Sequence, residues 1–75
     1  MDEGFILSNK YRRAIFDELA SGETSIERIA KKNHIIRSVA LRIADDFING
    51  GVLEKKGDRY NLTEDGKKLA QIVRG

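Results

Sequence analysis

The sequence predicts a mainly α-helical fold carrying one small β-hairpin, in the order helix, helix, helix, hairpin, helix. Three observations predict it. Apolar residues recur at helical spacing in the segments before Gly22, before Asn33 and before Gly50-Gly51. Two short alternating runs then flank Gly57-Asp58, a two-residue loop suited to a primed hairpin turn. A helix signal returns after Thr63.

The first helix is expected over about 8–21. Ser8 can accept the free amides of the first turn, Tyr11, Ile15 and Leu19 recur every four residues with Phe16 beside them, and Gly22 supplies the stop. Arg12, Arg13, Asp17 and Glu18 take the solvated face, and Phe5, Ile6 and Leu7 ahead of the cap pack back onto the core. The second helix, about 25–32, opens on Thr24-Ser25-Ile26-Glu27, read as a capping box in which Thr24 bonds forward to the Glu27 amide and Glu27 reaches back. Ile26, Ile29 and Ala30 form its apolar stripe, and Asn33-His34 tolerates the left-handed backbone of a tight turn.

The third helix, about 36–49, sets Ile36, Val39, Ala40, Ile43 and Phe47 on one stripe and ends at Gly50-Gly51. Arg37, Ser38, Leu41, Arg42, Asp45 and Asp46 lie outward. Leu41 and Ile48, apolar but off the stripe, are either additional core or a contact surface. In the hairpin, about 52–62, pairing across the turn sets Leu53 opposite Leu62 and Lys55 opposite Tyr60 on one face. Glu54, Lys56, Arg59 and Asn61 fall on the other. Thr63 caps a last helix, about 63–73, whose buried edge is Leu69, Ile72 and Val73.

At 75 residues the chain has room for one core, so a single domain over 1–75 is expected. It has no Cys and one His, His34, so neither disulfides nor a metal cluster can reinforce a thin core; no metal or other cofactor is expected, and His34 reads as a turn residue. Apolar runs are short, and Asp2 and Glu3 stand where a signal peptide would carry positive charge. No membrane association is expected, and the location implied is cytoplasmic, with the nucleoid if the source is prokaryotic. Catalysis finds no phosphate-binding glycine loop and no nucleophile with its base. Asp45-Asp46 and Glu64-Asp65 are neighbours that diverge by about 100° around a helix, so no catalytic residue is assigned.

Two helices joined by a short turn, followed by a hairpin and a helix, give the order of a winged helix-turn-helix. Ile29-Ala30-Lys31-Lys32, Ile35 after the turn, Phe47, and Gly51-Val52-Leu53-Glu54-Lys55-Lys56 resemble the pattern of winged-helix regulators of the MarR and ArsR kind. In that family a glycine ends the recognition helix and an apolar, apolar, charged run begins the wing. Tyr60-Asn61-Leu62-Thr63-Glu64-Asp65-Gly66-Lys67-Lys68-Leu69 is similar to the segment that leaves the wing and opens the next helix, so the resemblance spans roughly Ser8 to Val73. It departs at Ala44, where the family carries a larger apolar residue. It departs again at Val39, Ala40, Leu41, Asp45 and Asp46, where the family carries Ser, Thr, Arg or Lys.

The resemblance implies a transcription regulator that binds double-stranded DNA sequence-specifically and is not an enzyme. The third helix would enter the major groove and the wing would lie on the backbone or in the adjacent minor groove. Arg37 and Arg42 can form paired hydrogen bonds to guanine, Ser38 can reach several base edges and Leu41 can touch a thymine methyl. Between Ser25 and Ala44 the basic residues Arg28, Lys31, Lys32, Arg37 and Arg42 face one acid, Glu27, and the wing adds Lys55, Lys56 and Arg59. A homodimer is expected, since a two-fold pair reads two half-sites; Phe5, Leu7, Ile48, Ile72 and Val73 are the candidate dimer or partner surface. No segment for a small-molecule ligand is evident. The alternative is a winged-helix protein-interaction module of a larger assembly that does not bind DNA and docks through Leu41, Ala44 and Ile48.

Overall fold

A computed structural model of the chain describes residues 1–74; Gly75, the last residue of the expected 1–75 span, lies outside them. Its elements are α1 (Glu3–Leu7), α2 (Lys10–Ala20), α3 (Ile26–Lys32), α4 (Arg37–Asn49), β1 (Leu53–Lys56), β2 (Arg59–Leu62) and α5 (Glu64–Arg74). The fold is a winged helix-turn-helix, with α3 and α4 as its helix-turn-helix and β1–β2 as its wing.

The short α1 was not expected. Asp2 caps it by accepting the Phe5 amide at 3.1 Å, and the Arg12 guanidinium lies 3.9 Å over the Phe5 ring while donating to the Phe5 carbonyl oxygen. Five residues cannot hold a helix alone. Here α1 is held by packing, with Ile6 fully buried. Ser8 therefore closes α1, and the cap of α2 passes to Asn9, whose Oδ1 accepts the amides of Tyr11 and Arg12 at 2.8 and 3.1 Å. Tyr11 leaves the expected core stripe and is 39% exposed, because only Ile15, Phe16 and Leu19 turn fully inward.

The α3 helix, expected as the second, also starts one residue later than its capping box implied. Ser25, not Thr24, is the N-cap and accepts the Arg28 amide at 3.2 Å. Glu27 does not reach back; it pairs with Arg37. Glu23 supplies the missing acceptor, its Oε2 taking the amides of Thr24 and Ser25 at 2.8 and 3.1 Å.

In α4 the buried set is Ala40, Ile43, Ala44 and Phe47, a complete i, i+3, i+4, i+7 stripe. Ile36 and Val39, expected on that stripe, are instead 71% and 38% exposed. Ile36 precedes the first helical residue, so the helical phase never carries it inward. The core closes where Phe47 meets Phe16 edge-to-face, with ring centroids 5.8 Å apart.

The wing pairs in the expected register: Leu53 with Leu62, Glu54 with Asn61, Lys55 with Tyr60 and Lys56 with Arg59. It is anchored at both ends. The Tyr60 amide donates to the Thr24 carbonyl at 2.9 Å, and the Thr63 amide donates to the Val52 carbonyl at 3.1 Å. The Thr63 hydroxyl donates to the Gly51 carbonyl at 2.7 Å and accepts the Gly66 amide at 3.1 Å, capping α5. Gly66 is required by closeness, since a Cβ there would drive into the Val52 carbonyl. On α5 Leu69 is buried and Val73 half-buried, but Ile72, expected on the buried edge, is 60% exposed.

Candidate functional site

The turn between α3 and α4 fixes how α4 is presented. Asn33 ends α3, its amide group donating to the Ile29 carbonyl at 2.9 Å and to Glu18 Oε2 at 3.1 Å. His34 follows in the left-handed region at φ 55°, which explains the lone imidazole as a turn residue. The Ile35 amide then bonds the Ala30 carbonyl at 2.8 Å and its side chain is buried, so α4 sets out with its N-terminal end free of the core.

That end exposes Ile36, Arg37, Ser38, Val39 and Arg42. Its N-cap is Ile36, in extended backbone at φ −60° and ψ 132°, and no side chain accepts a bond from the first turn. The apolar exposure at Ile36 and Val39 was missed from sequence. The signal was present: the stripe running from Ala40 to Phe47 is complete without them.

A groove of about 440 Å³ separates α4 from the wing and the start of α3. Arg37 and Leu41 line one wall, Lys55, Asp58 and Tyr60 the other, with Lys55 Nζ 5.5 Å over the Tyr60 ring. Of the expected DNA-contacting residues the structure therefore brings Arg37, Leu41 and Lys55 together. Lys56 points to the opposite side of the hairpin, where it pairs with Glu54 at 3.7 Å and lines a separate depression with Lys67. Arg59, its cross-strand partner, is exposed beside the turn.

The basic stretch is damped by partners on other elements. Arg37 Nε and Nη2 donate to Glu27 Oε1 at 3.1 and 2.9 Å, Lys32 pairs with Glu18 at 3.2 Å, and Arg28 pairs with Glu23 at 3.5 Å. Among the described residues Lys31, Arg42, Lys55 and Arg59 enter no ion pair. Exposed pairs such as Arg37–Glu27 contribute at most about 1 kcal/mol, so a phosphate or base can displace them. The Glu23 carboxyl is held below its ordinary value of 4.5, first by the Ser25 amide, then by the Thr24 amide, with Arg28 and Lys32 adding attraction. No group of His, Cys, Asp and Glu among the described residues could hold a metal ion, and no helix there is long and apolar enough to cross a membrane.

The apolar docking strip expected from Leu41, Ala44 and Ile48 is not presented. Ala44 is fully buried, and Leu41 and Ile48 are half-buried against the core, because the α4 stripe includes Ala44 and its flanks pack beside it. Of the expected dimer surface, Phe5, Ile48 and Val73 are likewise half-buried against the core, whereas Leu7 on α1 and Ile72 on α5 stand out at 41% and 60% exposure.

No protein-family model and no curated protein matches the chain. Among solved structures it is similar in fold to a MarR family protein from Mycobacterium tuberculosis, with a TM-score of 0.80 at 14% identity; the match covers 96% of this chain but only 56% of that one. It is also similar to the homodimeric winged helix-turn-helix DNA-binding domain of a possible ArsR-family transcriptional regulator from Mycobacterium bovis. That match has a TM-score of 0.75 and 31% identity over 96% of this chain and 71% of the other. Sequence shared with the second of these structures, and the fold shared with both, place the chain in the winged helix-turn-helix regulator superfamily.

Proposed function

We propose that this chain binds double-stranded DNA as a transcription regulator, with the N-terminal half of α4 in the major groove and the wing along the backbone or in the adjacent minor groove. The observation that carries the reading is the free end of α4, which exposes Arg37, Ser38 and Arg42, with Arg37 across a groove from Lys55. Arg42 and Lys31, unpaired among the described residues, are ready for phosphate or guanine. Arg37 exchanges Glu27 for a base edge or a phosphate. The DNA-binding domain from M. bovis supports the same assignment. That domain is homodimeric, and a dimer here would use Leu7 and Ile72, the exposed apolar residues on two helices packed together.

The test is fluorescence-anisotropy titration of a random duplex at several salt concentrations, with Arg37→Ala plus Arg42→Ala alongside. About 3 to 5 phosphates neutralised per monomer give a slope of log affinity on log salt of about −3 to −5, with a weaker double variant. A folded protein that ignores DNA even at low salt refutes the proposal.

A further inference from the structure

We infer that Ile36 and Val39 form an apolar reading edge for thymine, so that the site this protein prefers contains thymines whose 5-methyl groups they cover. The inference rests on the DNA-binding reading and deepens it by naming the base chemistry. An isoleucine 71% exposed at the N-cap of α4, with a valine 38% exposed three residues on in the first turn, places two β-branched apolar side chains in water at one end of the helix. The two stand together at the N-terminal end of α4, Ile36 as its N-cap and Val39 in its first turn. Neither is needed by the core, which the stripe of Ala40, Ile43, Ala44 and Phe47 completes.

Position and charge identify what covers them. N-terminal residues of a recognition helix are those that reach base edges, and Ile36 and Val39 occupy that end. Arg37 lies between them in sequence and Arg42 follows three residues after Val39, both exposed, so the apolar patch stands beside cations and is matched to a polyanion that carries apolar groups. In the major groove that apolar group is the thymine methyl, which no other base of ordinary DNA presents. Two β-branched side chains with restricted rotamers lose little freedom on contact. Arg and Ser supply the hydrogen bonds; Ile36 and Val39 supply the discrimination of thymine from cytosine.

The experiment selects duplexes from a random pool with the full chain, then resynthesises the preferred duplex with deoxyuridine in place of thymidine at each position in turn. Deoxyuridine keeps the hydrogen-bonding edge and removes only the methyl. Affinity is read by anisotropy for the parent protein and for Ile36→Ala plus Val39→Ala, with circular dichroism confirming that the variant is folded. The expected result is a loss of about four-fold for each methyl covered in the parent, and no thymine-to-uracil difference in the variant, whose salt slope is unchanged. Tight binding to a selected duplex that is indifferent to every uracil replacement overturns this inference and leaves DNA binding intact. A thymine preference that survives in the double variant also overturns it, by moving the contact elsewhere. No selection by a protein that still binds random duplex overturns this inference alone, and no binding to any duplex overturns both readings.

Discussion

Replacing Ile36 with serine is expected to stabilise the fold while weakening its hold on thymine-containing DNA. The position is the N-cap of α4, it has extended backbone, and its side chain offers no acceptor to the first turn. The protein itself shows what a serine does in such a place. Ser25 caps α3 from extended backbone at φ −109° and ψ 113° and accepts the amide three residues on, at 3.2 Å. A serine at 36 would reach the Val39 amide by the same geometry. Ala-to-Ser differences at caps are about 0.5 to 2 kcal/mol, and a branched apolar cap is no better than alanine. Little is lost on the other side, because Ile36 is already mostly in water. A gain of about 1 kcal/mol raises the melting temperature of a chain this size by about 4 to 8 °C. Thermal denaturation followed by circular dichroism at fixed protein concentration reads the first effect, and anisotropy reads the second. Ile36→Ala is the control, removing the apolar side chain without adding an acceptor. A melting temperature unchanged or lowered by Ile36→Ser, relative to Ile36→Ala, would show that the α4 N-terminus is not short of an acceptor.

Other expected outcomes follow from contacts already described. Gly66→Ala forces a methyl against the Val52 carbonyl and should destabilise by about 1 to 3 kcal/mol or more in urea denaturation, a result that equal stability would contradict. Thr63→Ala removes the α5 cap and its bond to Gly51, with an expected loss of about 0.5 to 2 kcal/mol in the same assay. The depressed Glu23 carboxyl contributes stability that is complete above the ordinary value of 4.5 and is lost as pH falls through its lowered folded value. Glu23→Gln should therefore lower the melting temperature at pH 7 and narrow its gap from the parent in acid; a gap constant with pH would remove Glu23 as a source. Leu7→Glu plus Ile72→Glu should yield monomers in sedimentation equilibrium at concentrations where the parent associates, and an unaltered mass would exclude that surface.

Some features were legible because local chemistry alone decides them. The hairpin register followed from a two-residue Gly57-Asp58 turn and strict alternation, and the left-handed turn followed from Asn33-His34, where few other residues would serve. Helix starts were displaced wherever two competent caps stand side by side: Ser8 beside Asn9, and Thr24 beside Ser25. Propensity cannot choose between such neighbours, while the packing of Ile6 and the Glu23 carboxylate can. The α1 helix was illegible for a related reason, since its five residues depend on Arg12 lying over Phe5. The candidate site suffered most from distance in sequence. That Glu27 ties Arg37, that Glu18 ties Lys32, and that Lys55 faces α4 while Lys56 does not, are consequences of how separate elements meet. The exposure of Ile36 was decided by a single residue in where α4 begins.

The bond from the Tyr60 amide to the Thr24 carbonyl has a bearing on solubility. A two-stranded ribbon ordinarily offers both of its outer margins to other chains, and each is a template for aggregation. Here β2 is flanked by β1 on one side and by the Thr24 backbone on the other, so its margin is already occupied where Tyr60 would otherwise recruit a stranger. The margin left open belongs to β1, four residues long and ending Glu54-Lys55-Lys56. Short length and charge make it a poor seed for fibrils, and the protein can present a reaching, exposed hairpin at high concentration without that hairpin becoming sticky.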